Sequence, residues 1–270
     1  MRVVLASGHP VRPMILGAAS AHLLADQAAH SAASTAFPGL SGLESGMTLG
    51  PAIAVRENLS QRAYLRIRSS LMHSELRPGQ RLVLRPLAAE LRLSPTPVRE
   101  ALLRLVSEQA LTLDERGTAI VPVVGLEEFR EIIDIRCDLE GRAAARAAIR
   151  ATPSEIGQVA SLVQAFHDAA HGHDHPAMLG RNAELHRLVC RIAGAPLILR
   201  ILEGIWMRIG PVYALKPGEA AQADYVEEMR PHDRLLAALR AHDSEAAREA
   251  VIADVRRSSD WLERSVVGVS

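Results

Sequence analysis

LRPLAAELRLSPTPVREALLRLV, residues 84–106, is the stretch on which the reading of the fold turns. Leu87, Ala88 and Leu91 make a short apolar stripe, and Arg92-Leu93-Ser94 breaks it. Val98, Ala101, Leu102 and Leu105 then recur at i, i+3, i+4 and i+7, the spacing of an amphipathic helix. Two helices joined by a tight turn are predicted. The second carries start signals: Ser94 or Thr96 as N-cap, prolines at 95 and 97, and Glu100 early in the helix, where the dipole favours an acid. Thr96, Arg99, Glu100 and Arg104 lie off its apolar face. A short helix followed by a longer one with hydroxyl and guanidinium groups toward its N-terminus is how a helix-turn-helix offers a recognition helix to the major groove.

Upstream, Leu59, Ala63, Ile67 and Leu71 recur every four residues, which predicts an amphipathic helix over 57–75 ended by Pro78-Gly79. It is expected to pack behind the helix-turn-helix. Gln80 to Leu84 suits a short strand, and Leu111, Leu113 and Ile120 on either side of Asp114-Glu115-Arg116-Gly117 suit a hairpin. That hairpin reads as a wing, with Arg116 at its tip.

Length and composition bound the rest. At 270 residues and 48% apolar, the chain can form one or two domains with a substantial core. Three Phe, three Tyr and two Trp in an Ala-, Leu- and Arg-rich sequence favour helices. The net charge is zero but unevenly spread: residues 55–122 hold eleven arginines against seven acids, whereas 123–270 hold eighteen basic and twenty-two acidic residues. A polyanionic partner is therefore expected for the first part only. Lys216 is the only lysine. Cys137 and Cys190 read as buried thiols in a reducing cytoplasm, and no apolar run reaches membrane-span length. At the N-terminus, Gly8-His9-Pro10 and Arg12-Pro13 interrupt any signal-peptide core. Residues 1–54, rich in Ala, Ser, Gly and Pro, read as a disordered tail, with Met47 a candidate start.

The expected organisation is mainly α: a winged helix-turn-helix over 55–122, a linker at 123–127, and an all-α bundle over 128–265. Leu126, Phe129, Ile132, Ile133, Leu139 and Ala143 line one face of a helix over about 126–150. Thr152-Pro153-Ser154-Glu155 is a capping box that starts the next helix, which ends in HGHDHP. Further helices are expected over Pro176–Ala193, 196–209 and Pro217–Ala241, and a last one capped by Asp243. Asn182 and His186 share a helix face at i, i+4. His232 and Asp254 each stand eleven residues from Asp243, ~16 Å along their helices, so in an antiparallel hairpin they lie level. If both point inward, the four residues form an N/O site suited to Zn, Ni or Mn. Alternatively, His186 and His232 are hydrogen-bonded core histidines. His171, His173, Asp174 and His175 are denser in ligands but read as a solvated loop, and Cys190 is a weaker extra ligand. Arg136 and Arg208 are candidates to hold an anionic effector, because guanidinium pairs bidentately with carboxylate. Arg136 could instead pair with Glu140, one turn on, and Arg208 could instead lie at the surface.

The order ELRPGQRL (75–82), LAAEL (87–91), LSPTPVREALLRL (93–105) and DERG (114–117) resembles the winged helix-turn-helix of GntR-type bacterial transcription regulators. The downstream half resembles the FadR-like branch with its helical FCD effector domain, and the resemblance runs from about Val55 to Arg264. It implies that Arg85, Ser94, Thr96, Arg99 and Gly117 contact DNA, in keeping with the suitability of arginine for guanine and of hydroxyls for phosphate. Many members carry an arginine where this chain has Pro95, so one base contact is missing. Metal-binding members present Asp, His, His and His at the positions of Asn182, His186, His232 and Asp254. Two of the four differ here, but one carboxylate is kept. The resemblance further implies a homodimer on a near-palindromic operator, released or recruited by a small carboxylate. An alternative, an all-α metal-dependent enzyme using His186, His232 and Asp254, is disfavoured by the lack of HExxH, P-loop, GxSxG and GxGxxG.

Overall fold

The computed structural model describes residues 51–214 and 225–267. Residues 1–50, most of the expected tail, lie outside them. The expected tail nevertheless ends too late, because helix α1 spans Pro51–Met72 and already takes in 51–54. At its other end α1 stops three residues earlier than the apolar repeat suggested. Ser74 there adopts a left-handed φ of 60°, and Glu75 N–H turns back to the Ser70 carbonyl.

The helix-turn-helix forms as read: α2 spans Leu84–Glu90 and α3 spans Pro95–Ser107. Leu87, Ala88, Val98, Ala101 and Leu105 are buried, joining Ile67 and Leu71 of α1 in one core. Strands β1 (Arg81–Leu82), β2 (Thr112–Leu113) and β3 (Ala119–Ile120) are two residues each and antiparallel, in the order β1-β3-β2. The wing tip is held by the Asp114 carboxylate, which accepts from the N–H groups of Arg116 and Thr118 at 2.9 and 2.8 Å. Gly117, with φ +73°, supplies the left-handed residue this turn needs.

Helix α4 spans Leu126–Arg150, which cuts the expected linker to 123–125 and puts Glu127 and Glu128 in a first helical turn. It is followed by α5 (Pro153–His171), α6 (His175–Ile192), α7 (Pro196–Tyr213), α8 (Tyr225–Ala241) and α9 (Ser244–Val267). The capping box is present: Thr152 Oγ accepts from Glu155 N–H while Glu155 accepts from Thr152 N–H. Asp174 caps α6 by accepting from Ala177 N–H, so that helix starts one residue before its expected proline. Helix α7 continues past the expected 209, carrying Pro211 within its last turn. The stretch 217–224, expected to open the fifth helix of the bundle, lies outside the described residues.

Ala143, Ala144, Ala147 and Ala148 of α4 are wholly buried, and their small side chains let the neighbouring helices of the bundle approach closely. One apolar core runs through both halves of the chain. The seam is α1, which packs on α3 on one side and on α7 on the other.

Candidate functional site

Two regions carry the residues singled out in the sequence. In the first, Ser94 is the N-cap of α3, with Pro95 at its first position; the Ser94 side chain makes no capping bond and remains exposed, as do Thr96, Arg99 and Arg85. Arg85, Arg99 and Gly117 line one groove bounded by α2, α3 and the wing. Among the described residues, Arg85 and Arg99 take no ion-pair partner. Arg104 belongs elsewhere: its guanidinium lies over the Tyr64 ring at 3.8 Å and pairs with Glu108 at 3.0 Å.

In the second region, Asn182, His186, His232 and Asp254 line a single cavity of about 100 Å³ inside the bundle, together with Arg136. Helix α6 presents Asn182 and His186 one turn apart, and the α8–α9 hairpin brings His232 level with Asp254, in the register counted from Asp243. His186 Nε2 is 2.8 Å from Asp254 Oδ2, His232 Nε2 is 3.3 Å from Asp254 Oδ1 and 2.9 Å from Asn182 Oδ1. One ligand atom from each of His186, His232 and Asp254 falls within 4.8 Å of the others. His186 Nδ1 faces Glu140 Oε2 at 2.5 Å, the carboxylate–histidine arrangement that orients a metal-binding imidazole. The His232 ring packs edge-on against Phe166, and among the described residues its buried Nδ1 finds no hydrogen-bond partner. The donor set and its spacing fit a divalent ion of the Zn, Ni or Mn class.

The electrostatics are those of tightly coupled buried groups. Burial alone would push the His186 imidazole down, but the carboxylates of Glu140 and Asp254 outweigh it and hold it at about 9. Burial would likewise raise Glu140, yet Arg136 and His186 hold it at about 2. Asp254 is kept well below the usual carboxylate range, the two imidazoles prevailing over its burial. Arg136 pairs with Glu140 at 2.6 Å, as its alternative reading had it, and also donates to the Tyr213 hydroxyl at 2.9 Å. It remains on the cavity wall.

Arg208 is a correction. It does not line the cavity: its Nε pairs with Glu128 at 2.6 Å and its Nη1 reaches the Gln109 carbonyl at 3.3 Å, just beyond the end of α3. The rotation of α7 decides this, placing Trp206, Ile209, Gly210 and Tyr213 toward the cavity instead. Cys190 is buried, and that burial pushes its thiol up and away from the thiolate a metal needs. His175, assigned to a solvated loop, lines the cavity from the first turn of α6.

Sequence reasoning passed over Glu140 as a site residue. The signal was available: 140 falls on the apolar face that carries Ile133, Cys137 and Ala144, where an unpaired carboxylate is costly. It also passed over Met72 and Ser74, which close the cavity from the end of α1. Ser74 Oγ donates to the Gly210 carbonyl at 2.7 Å.

No described helix is long and apolar enough to cross a membrane. Residues 59–121 match the family of bacterial regulatory proteins called gntR, and residues 131–257 match the FCD domain. The HTH-type transcriptional regulator McbR of Escherichia coli (strain K12) is 32% identical over 191 residues, covering 69% of this chain and 86% of McbR. The solved E. coli McbR/YncC structure aligns with a TM-score of 0.72 at 29% identity, over 77% of this chain and 98% of that one. The HTH-type transcriptional repressor RspR of the same organism is 21% identical over 214 residues, covering 79% of this chain and 93% of RspR. These families and relatives are transcriptional regulators, and the reading of the His186, His232 and Asp254 cluster as an enzyme's centre falls with them. The chain belongs to the GntR family of bacterial regulatory proteins as a member with an FCD domain, and it is a DNA-binding transcriptional regulator.

Proposed function

We propose that this regulator binds its operator as a homodimer through α3 and the wing, and that a small carboxylate held in the bundle cavity beside a divalent ion controls that binding. The observation that carries the reading is the cavity, which gathers Asn182, His186, His232, Asp254 and Arg136 and is lined at the end of the first helix by Met72 and, just beyond it, Ser74. Repression is the sign we assign, after RspR, whose name states it.

On the DNA side, Arg99 reads a base edge, Ser94 and Thr96 hold phosphates at the helix N-terminus, and Arg85 and Gly117 flank them along the same groove. Two such surfaces on a dimer match half-sites about one helical turn apart.

On the effector side, His186 Nε2, His232 Nε2, an Asp254 oxygen and Asn182 Oδ1 would hold the ion. It supplies a Lewis-acidic point for a carboxylate and leaves the cavity, with Arg136 counted against Glu140 and Asp254, net positive. Glu140 takes the His186 Nδ1–H and fixes the tautomer. Arg136, anchored by Glu140 and Tyr213, presents its guanidinium edge to the effector. An effector that fits differently against Met72 and Ser74 in two arrangements of α1 shifts the balance between them, and α1 carries that shift to α3.

The test has two stages. Calorimetry of chelator-treated protein with Zn²⁺, Ni²⁺ and Mn²⁺, alongside His232→Ala, measures the metal; a panel of mono- and dicarboxylates follows. Anisotropy with DNA from upstream of the protein's own gene, at two salt concentrations with competitor DNA, measures the operator. Metal binding that His232→Ala leaves unchanged would refute the ligand set. Operator binding indifferent to every carboxylate that binds would refute the control.

A further inference from the structure

A second groove, of about 900 Å³, lies where the first helix and the end of α3 meet α6 and α7. Its walls include Arg68 from α1, Arg104 at the end of α3, Arg187 and Arg191 from α6, and Arg200 from α7, with Glu108 and Glu203 the only acids on them among the described residues. Glu108 is already engaged by Arg104 and by the Tyr64 hydroxyl at 2.8 Å. Glu203 is shared: a single oxygen, Oε1, takes Arg68 Nη2 at 2.6 Å and Arg187 Nη2 at 3.2 Å. Arg68 and Arg187 are each only 8% exposed, and among the described residues Arg68 Nε finds no hydrogen-bond partner. Among the described residues, Arg187 otherwise donates only to the Met72 sulfur, at 3.7 Å. Burial holds its guanidinium below the usual range, Glu203 opposing and Arg68 and Arg191 adding to the shift.

Two buried guanidiniums against one carboxylate oxygen are an imbalance that burial makes costly. A second negative group would relieve it. The geometry points to a binding site for a multiply charged phosphate-type anion in this groove, separate from the metal-and-carboxylate cavity. The guanidiniums of Arg68, Arg187, Arg191 and Arg200 come from three helices on two sides, and the non-coplanar oxygens of a tetrahedral phosphate can accept from donors in different planes, whereas a lone carboxylate pairs best within its own plane. Because Arg68 belongs to the helix that supports α3 and Arg187, Arg191 and Arg200 belong to the bundle, a bound phosphate ties the winged helix to the effector helices.

The probe is inorganic pyrophosphate, titrated by calorimetry into the chelator-treated full chain, with inorganic phosphate as a second arm for a single tetrahedral group. We expect one saturable site per chain, at least tenfold weaker in the exposed-residue variant Arg200→Glu and in Arg68→Gln, whose fold is checked by its melting curve. His232→Ala should bind pyrophosphate as the wild type does, separating this groove from the cavity, and so should Arg85→Ala/Arg99→Ala. No saturable heat overturns the assignment. So does binding that survives Arg200→Glu and Arg68→Gln, or that disappears in Arg85→Ala/Arg99→Ala, which would move the anion to the DNA-facing groove.

Discussion

Gly210→Ala should unfold this protein several degrees early, and the reason lies in how closely α1 and α7 cross. A methyl group added at 210 would press on the Leu71 carbonyl oxygen inside van der Waals contact, and it would stand 3.1 Å from Leu71 C and 3.2 Å from Met72 Cα. These are backbone atoms of a helix and cannot swing aside as a side chain can. Helix α1 would have to retreat by roughly an ångström, an overpacking strain of about 1–3 kcal/mol. Alanine's better helix propensity offsets about 1 kcal/mol of it. Because the tightest contact is with a backbone oxygen well inside van der Waals distance, the strain lies at the upper end and the net loss is about 2 kcal/mol, a fall of roughly 4–8 °C in Tm for a chain of this size. Gly204→Ala, six residues earlier on the same helix, is the control, because a Cβ there meets nothing within 4 Å; it should stabilise slightly. Thermal unfolding by circular dichroism reads both. A Tm for Gly210→Ala equal to or above the wild type would refute the packing argument, since it would mean that the two helices already stand far enough apart for a methyl group.

Arg99→Ala should weaken operator binding by ~1–3 kcal/mol and relax preference at one base position, read by anisotropy with operator variants; unchanged affinity would remove it from base readout. Glu140→Ala strands the buried Arg136 guanidinium and should cost about 3–5 kcal/mol in urea unfolding. The double variant Arg136→Met/Glu140→Leu should recover only the part due to Arg136, because the His186 Nδ1–H and the Trp206 indole N–H still lose their acceptor; a double as unstable as the single would show that those two contacts, not the Arg136 pair, carry the loss. Thr152→Ala removes the capping box and should cost about 1 kcal/mol. The Thr152 N–H and hydroxyl hold Glu155 below its ordinary value, so the hydroxyl's share is present above about pH 4.3 and lost as pH falls through the folded value; there the difference between wild type and variant should narrow without closing, because Thr152 Oγ still accepts from the Glu155 N–H. Saturating metal at a hundredfold over Kd should add about 2.7 kcal/mol to stability, reversed by chelator and absent in His232→Ala.

What could be read in advance follows from how local each determinant is. The helix-turn-helix and the capping box are short-range patterns, and both formed at the residues named. His232 and Asp254 were also accessible, because equal spacing from Asp243 fixes the register of a helical hairpin whatever the rest of the bundle does, and Asn182 and His186 share a helix face through their i, i+4 spacing alone. Arg208 was not, because the rotation of α7 and the reach of Glu128, eighty residues away in sequence, are decided by packing. His175 was hidden by its Gly- and Pro-containing surroundings, and the wing strands shrank to two residues each because ladder pairing, not alternation, sets strand length. Met72 and Ser74 entered the cavity only through the meeting of α1 with α7, which no periodicity encodes.

The shared core bears on how such a protein can be rebuilt by recombination. A winged helix joined to its bundle by a plain tether could be exchanged like a cassette, but here Leu71 and Met72 lie against Gly210, and Ser74 caps its carbonyl. A chimera cut at residues 123–125 would inherit mismatched partners on either side of that crossing. Transplanting α1 together with the facing surface of α7 would keep the crossing intact, so the natural unit of exchange in this chain is discontinuous in sequence.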